Sequence, residues 1–170
     1  MATRASPAPT TAAGHGEHRQ MSHHPYARLL LMTALSFAAM YALMYAMVDR
    51  FANYYNSVNQ AYMAGLMAAA MVVIELAVMR AMYPNRKLNA AIVALSLVAL
   101  VACWALIRTQ AGVGDRQFLR SMIPHHAGAI LMCEKAPVGD AEIKALCKQI
   151  VASQDAEIRQ MKAKLAALSQ

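Results

Sequence analysis

The chain has 170 residues, which is room for one domain or for a small domain with an anchor. Hydrophobic residues make up 59% of it, too apolar for an ordinary soluble domain of this size. Its net charge is +7, but the basic residues are scattered and mostly flank apolar runs, which favours membrane orientation over a nucleic-acid-binding surface. Its 14 methionines are several times the ordinary usage, so the chain is methionine-rich.

The N-terminal segment is rich in Ala, Pro, Thr and His and shows no apolar periodicity. This composition predicts that residues 1–27 form a disordered, cytoplasmic tail. Its histidines could bind a metal weakly, but flexible ligands must first be ordered, so a solvated tail is the favoured interpretation. These histidines are His15, His18, His23 and His24.

Three apolar runs follow the tail, and each is long enough to cross the roughly 30 Å hydrocarbon core of a bilayer. They cover residues 29–48, 61–79 and 88–107, so residues 28–108 are predicted to form a three-helix membrane anchor. The first run is too long for the apolar region of a cleaved signal peptide. We therefore expect the lipid bilayer to be a partner of this chain.

The second run contains an ionisable residue, Glu75. A charge inside a span is costly, so Glu75 is a functional candidate. Methionines share helix faces in the first two spans and could form a path or store for a soft cation, although flexible packing is the favoured interpretation. They are Met32, Met40, Met44 and Met47 in the first, and Met63, Met67, Met71, Met79 and Met82 in and after the second.

The charges in the short loops predict the orientation of the anchor. The loop after the second run carries Arg80, Arg86 and Lys87 with no acid, whereas Asp49 and Arg50 cancel in the loop after the first. The positive-inside rule places the N-terminus and the second loop in the cytoplasm. For a bacterial inner membrane, residues 109–170 would then form a periplasmic domain.

The C-terminal segment has the pattern of two helices. One is predicted from Asp115 to Lys135, bent or broken at Pro124, and the next from about Ala141 to Leu168, with Asp140 as its N-cap. Two such helices form an antiparallel hairpin, so the fold class is all-α: three transmembrane helices followed by this hairpin. An isolated hairpin cannot bury all of its apolar surface, so we expect it to pack on the spans or on a second copy. The apolar stripe of its second helix is Ile143, Leu146, Ile150, Ile158, Met161 and Leu165.

The first of these helices carries a combination of methionine and histidine. At helical spacing Met122, His125 and Met132 share a face, and His126 borders it. In an antiparallel hairpin Glu157 lies level with these residues and Met161 one turn further along. Thioether and imidazole ligands favour Cu(I), Ag(I) or Cu(II) over Mg or Ca. The alternative is that the methionines are core residues and the histidines pack beside the proline.

The string Met122-Ile-Pro-His-His126, followed by Gln154, Glu157-Ile158 and Met161, resembles the signature of the domain-of-unknown-function 305 family. The membrane half resembles the membrane-anchored branch of that family in stretches such as Met40-Tyr41, Tyr62-Met63-Ala64 and Met82-Tyr83. The resemblance implies a ferritin-like helical fold, and some family members are periplasmic copper binders. It implies copper contact by Met122, His125, His126, Met132 and Met161, to which the hairpin register adds Glu157.

The sequence departs from the family pattern at Cys133 and Cys147, where alanine is expected. Both lie near the predicted turn and could face each other. In an oxidising compartment they could form a disulfide or act as thiolate ligands for Cu(I). A small-residue packing role is the third interpretation.

Together these patterns predict a membrane-anchored periplasmic protein that binds copper or silver for homeostasis or resistance. Its partner would be a second copy of the chain or a copper-handling protein. The alternative is a helical interaction module with structural histidines and no metal. An enzyme is not expected, because no nucleophile is placed beside a base and there is no phosphate loop or zinc-protease spacing. Nucleic acid is not expected either, because the charges after Thr109 are nearly balanced.

Overall fold

The computed structural model describes residues 25–168, and this part of the chain is all-helical with no strand, which confirms the prediction of an all-α protein. Residues 1–24 of the predicted tail, with its histidines, lie outside the described residues. Residues 25–27, which the composition assigned to the tail, belong to the first helix. The helices are α1 Pro25–Leu43, α2 Val58–Val78, α3 Arg86–Thr109, α4 Asp115–Lys135 and α5 Ala141–Ala167.

Three helices within residues 25–168 are long and apolar enough to cross a membrane. The first includes a short 3-10 turn, Met44–Met47, that continues α1. Large apolar side chains cover the outer surfaces of these helices: Leu30 is 72% exposed, Leu95 69% and Val98 65%. Such a surface suits lipid rather than water.

The second helix, α2, lies between α1 and α3 and packs on both through small side chains. Ala64 and Ala68 are buried on α2. A Cβ atom added at Gly65 would lie 3.1 Å from the Cys103 sulfur, so the absence of a side chain there allows α3 to approach closely. Small residues at such positions are what bring membrane helices together.

The connection between α1 and α2 is compact and lies beneath α4. The Tyr45 hydroxyl donates a hydrogen bond to the Tyr55 carbonyl oxygen (2.9 Å), and the Asn53 amide donates to Asp49 Oδ1 (2.5 Å). Val48 and Tyr55 pack against the hydrophobic core that α4 forms with α5. The expectation that the C-terminal helices need a further packing partner is therefore met, in part, by this connection.

A tight turn joins α3 to α4. Gln110 and Gly112 both have positive φ angles, 51° and 72°, which reverse the chain just after α3. The Tyr62 hydroxyl donates to the Ala111 carbonyl oxygen (2.9 Å) and so ties this turn to α2. This defined turn sets the position of α4.

The core between α4 and α5 consists of aliphatic side chains. Ile123 and Ile130 are 0% and 1% exposed. The predicted apolar stripe of α5 is buried only in its second half, and Ile143 and Leu146 remain 49% and 53% exposed. The α1–α2 connection packs on α4 and α5 at the end away from the turn that joins these two helices, so it does not cover the start of α5. The buried core residues are Leu119, Ile123, Ala127, Ile130, Ile158 and Leu165.

Two local predictions for these helices have different outcomes. Asp140 is the N-cap of α5, as predicted: its Oδ1 accepts hydrogen bonds from the backbone N–H groups of Glu142 (2.8 Å) and Ile143 (2.9 Å). Pro124 does not break α4, which runs on as one helix from Asp115 to Lys135. The buried side chains on both sides of Pro124 hold the helix together across the missing N–H.

Candidate functional site

His126 is buried in α4 and has oxygen atoms at both ring nitrogens. Its Nδ1 is 2.9 Å from the carbonyl oxygen of Met122, and its Nε2 is 2.7 Å from Oε2 of Glu157 on α5. Both oxygens are acceptors, so Nε2 donates a hydrogen bond to Glu157, and the contact between α4 and α5 is an ion pair when both ring nitrogens carry a proton.

Glu157 is held in its charged form by its neighbours. Ser153, one turn earlier on α5, donates its hydroxyl to Glu157 Oε1 (2.9 Å). The hydrogen bond from Ser153, followed by the one from His126, lowers the pKa of Glu157 below its ordinary value. The carboxylate is therefore available to a cation at neutral pH.

The side chains of Met122, His126, Glu157 and Met161 line one pocket of about 320 Å³, which we call the hairpin pocket. Four of the six predicted metal ligands thus come together here: a thioether and an imidazole from α4, and a carboxylate and a thioether from α5. The remaining lining residues are Phe118, Leu119, Gln160 and Lys164.

The other two predicted ligands, His125 and Met132, lie on a different side of α4. They line a groove of about 740 Å³ between α4 and the ends of α1 and α2, which we call the junction groove. The rings of His125 and His126 have centroids 6.0 Å apart and planes inclined by 63°. The expectation of one convergent cluster is therefore replaced by two separate groups of donors.

Helical geometry explains this division. At about 100° per residue, His126 lies about 40° to one side of Met122, whereas His125 and Met132 lie about 60° and 80° to the other. These positions are close enough to be grouped as one face in the sequence. Because α5 packs beside His126 and the ends of α1 and α2 lie beside His125, these two neighbours divide that face.

The junction groove also contains methionines from the predicted anchor. Met44, Met47 and Met63 line it opposite His125 and Met132. In the sequence these residues lie on methionine-rich faces of the predicted spans, and their local pattern does not connect them with the histidines. The available signal was their position near the ends of their spans, on the side from which α4 emerges.

Cys133 and Cys147 come together between α4 and α5, as their positions near the turn suggested. Both are free thiols, and the hydrogen bond from the neighbouring Cys147 raises the pKa of Cys133 above its ordinary value. They line a separate pocket with Lys144 and Lys148. Disulfide formation and thiolate ligation both stay predictions.

Glu75 lies toward the opposite end of the membrane-crossing helices. It accepts a hydrogen bond from the hydroxyl of Tyr83 (3.1 Å), which lies in the connection between α2 and α3. Burial and the neighbouring carboxylate raise the pKa of the Tyr83 phenol. Met32 and Met82 line the same pocket as Glu75, so a polar group and two thioethers lie together there.

Within residues 25–168 no three His, Cys, Asp or Glu side chains converge as a metal-binding group. The hairpin pocket combines the imidazole of His126 with thioethers, and the junction groove combines the imidazole of His125 with thioethers. Thioether is a soft ligand, so a cation held at either place would be a soft one.

Comparison with known proteins places these features in a family context. The sequence profile of the family described as Domain of unknown function (DUF305) matches residues 102–165, a range that includes all six predicted ligands. An uncharacterized protein of Acanthamoeba polyphaga mimivirus is similar to the chain, with 33% identity over 136 residues that cover 78% of this chain and 88% of the viral protein. No solved structure gives a significant match.

Proposed function

We propose, from the premise that the chain belongs to the DUF305 family, that it is a membrane-anchored protein whose C-terminal helices bind copper for homeostasis or resistance. Residues 28–108 would form the anchor in a bacterial inner membrane, with the N-terminus in the cytoplasm. Residues 109–170 would form a periplasmic, ferritin-like antiparallel hairpin. The protein binds a metal in this proposal and catalyses no reaction.

The observation that carries this proposal is the convergence of Met122, His126, Glu157 and Met161 at the hairpin pocket. Two thioethers, one imidazole and one carboxylate fit Cu(I) or Ag(I) better than a hard cation. The ammonium group of Lys164 at the same pocket repels a monovalent ion less than a divalent one, which also favours Cu(I). Binding would release the Nε2 proton of His126 and separate it from Glu157, so uptake of the metal is coupled to proton release.

The register between α4 and α5 supports the antiparallel hairpin. His126 contacts Glu157, and Cys133 contacts Cys147, so a later position on α4 meets an earlier one on α5. The lengths of the two helices allow this register to continue to Leu119 and Leu165, which share one hydrophobic core.

The proposed orientation is supported by the contacts of α4. Because α4 packs on the connection between α1 and α2, both lie on the same side of the anchor. The connection between α2 and α3 lies on the other side and carries Arg80, with Arg86 and Lys87 at the start of α3. Basic loops stay in the cytoplasm, so α4 and α5 are assigned to the periplasm.

The test is a titration of the purified full-length protein with Cu(I), in detergent, without oxygen and against a chromophoric Cu(I) chelator. The wild-type protein should compete with the chelator, and the double variant His126→Ala, Met161→Leu should lose at least tenfold in affinity at the hairpin pocket. The matched control is Met79→Leu, an exposed methionine next to α2 that should leave binding unchanged. A wild-type protein that takes up no Cu(I) would overturn the proposal.

A second candidate is the interaction module, in which the His126–Glu157 ion pair is structural. The exposed apolar side chains of Ile143 and Leu146 on α5 favour it, since they could be covered by a second copy of the chain. This candidate predicts oligomers that form without copper and that are lost in the double variant Ile143→Ser, Leu146→Ser. Analytical ultracentrifugation in detergent, with and without Cu(I), separates the two candidates.

A further inference from the structure

A groove between α4 and the membrane-crossing helices contains more thioether groups than the hairpin pocket does. Met44 and Met47 come from the turn that ends the first span, and Met63 comes from α2. His125 and Met132 face them from α4. Two parts of the chain that are far apart in sequence thus each contribute soft donors to one groove of about 740 Å³.

The groove is held open by specific contacts rather than by loose packing. A Cβ atom at Gly128 would lie 3.6 Å from the carbonyl oxygen of Met47, so the backbone of α4 lies almost directly on the turn that carries two of the methionines. The Gln117 side chain accepts a hydrogen bond from the Val58 backbone N–H (3.1 Å), and the Asn59 amide donates to Ser121 Oγ (3.2 Å). These two hydrogen bonds fix the first half of α4 against the start of α2.

The chemistry of the lining is selective. It contains four thioethers and one imidazole but no carboxylate, so a hard divalent cation would lack its preferred ligands. The side-chain oxygens of Asn59 and Gln60, which also line the groove, are buried without a hydrogen-bond partner among the described residues. Buried oxygens of this kind call for a donor or a positive charge.

The methionines of the groove are not ordinary core residues. Met47, Met63 and Met132 are 52%, 40% and 58% exposed, so their side chains border open space instead of filling the interior. The exposed thioethers are therefore accessible to an ion that enters the groove beside His125.

From this arrangement we propose that the junction groove is a second Cu(I) site, formed by Met44, Met47, Met63, His125 and Met132 and shared between the anchor and the C-terminal helices. The identity of the ion rests on the proposed function, whereas the position of the site does not. The ring centroids of His125 and His126 are 6.0 Å apart, so the two sites lie side by side across α4.

The experiment measures how many Ag(I) ions the full-length protein binds in detergent. Ag(I) is a redox-inert probe that prefers the same soft ligands as Cu(I). The wild-type protein should bind two ions per chain. The triple variant Met44→Leu, Met47→Leu, Met63→Leu should bind one, and so should the double variant His126→Ala, Met161→Leu. The matched control Met67→Leu, Met71→Leu, Met79→Leu replaces three methionines of the same region outside the groove and should still bind two.

The variants separate the failure of this inference from the failure of the proposed function. If the groove variant keeps the wild-type stoichiometry, the inference is wrong and the hairpin pocket is unaffected. If the hairpin variant keeps the wild-type stoichiometry and the groove variant does not, the proposed ligands of the hairpin pocket are wrong and the inferred groove site is retained.

Leucine conserves the volume of methionine, so the groove variant is expected to fold. X-ray absorption at the silver edge gives an independent measurement that compares occupied sites directly. In the hairpin variant the remaining ion should have mostly sulfur neighbours with one nitrogen, and a shell of oxygen alone would overturn the inference.

Discussion

The membrane-crossing helices and the C-terminal helices use the same apolar residue types in opposite ways. Helix α3 is 24 residues long and buries only Ser96, while Leu95, Val98 and Trp104 are among its exposed side chains. Helix α4 is 21 residues long and buries seven residues, among them Ile123 and Ile130. The exposed apolar surface of α3 is compatible with an apolar solvent, whereas α4 buries its aliphatic side chains against α5.

The two regions therefore depend on different forces. Between α1, α2 and α3 small residues such as Ala64 and Ala68 make close contacts beside a small cluster that includes Leu29, Val72 and Leu76. Many large apolar side chains remain on the outer surface, where lipid gives them no reason to leave it. Between α4 and α5 the burial of aliphatic side chains provides most of the stability, because water does give such a reason. Substitutions should have effects that depend on the region.

The largest effect is expected at the centre of the α4–α5 core. Replacing the fully buried Ile123 by alanine should lower the stability of these helices by about 2–5 kcal/mol, because the lost methyl groups leave a cavity. The matched variant Leu95→Ala on the outer face of α3 should change stability by only about 0.5 kcal/mol. Hydrogen exchange of the backbone amides of the full-length protein in detergent measures both. Equal effects of the two variants would contradict the contrast drawn between the regions.

A somewhat smaller effect is expected from a charge on the outer face of α3. Val98→Arg puts a cation near the middle of the third span and should disfavour insertion by about 2.5–3.5 kcal/mol. The control, Ala156→Arg, adds the same charge to the exposed surface of α5, where it should have no effect on insertion. The fraction of each variant that resists extraction from membranes by alkaline carbonate is the measurement. Full integration of Val98→Arg would show that α3 does not span the bilayer.

The smallest effect concerns the ion pair between α4 and α5. The pKa of Glu157 is lowered in the folded protein, so its charged form contributes stability above its ordinary pKa of 4.5, and this contribution is lost as the pH falls through the lower folded value. Because Glu157 is about half exposed, the effect is small.

Thermal unfolding followed by circular dichroism at pH 7 and at pH 3 tests this sign. The advantage of the wild-type protein over Glu157→Gln should be present at pH 7 and shrink at pH 3. The control Glu134→Gln, which changes an exposed carboxylate of α4, should show no such difference. If the stability of the wild-type protein relative to Glu157→Gln increased on acidification, the predicted contribution of the charged Glu157 would be wrong.

Much of the fold could be predicted from the sequence because it depends on local properties. The three apolar runs, the start of α4 at Asp115 and the cap at Asp140 were all predicted close to their observed positions. Hydrophobic length, helical periodicity and capping chemistry act over one or a few turns, so the chain carries them in consecutive residues. The contact between His126 and Glu157 also follows from the register of an antiparallel pair.

The grouping of the metal-binding candidates could not be predicted in the same way. Periodicity gives the angle of a residue around its helix, but it does not say which neighbour lies at that angle. The division of His125 from His126, the junction of Met47 and Met63 with α4, and the exposure of Ile143 were decided when α5 took one side of α4 and the α1–α2 connection the other. A helix with adjacent histidines can present them to one cavity or to two, and the packing around α4 divides them between two because its neighbours lie on opposite sides of that histidine pair.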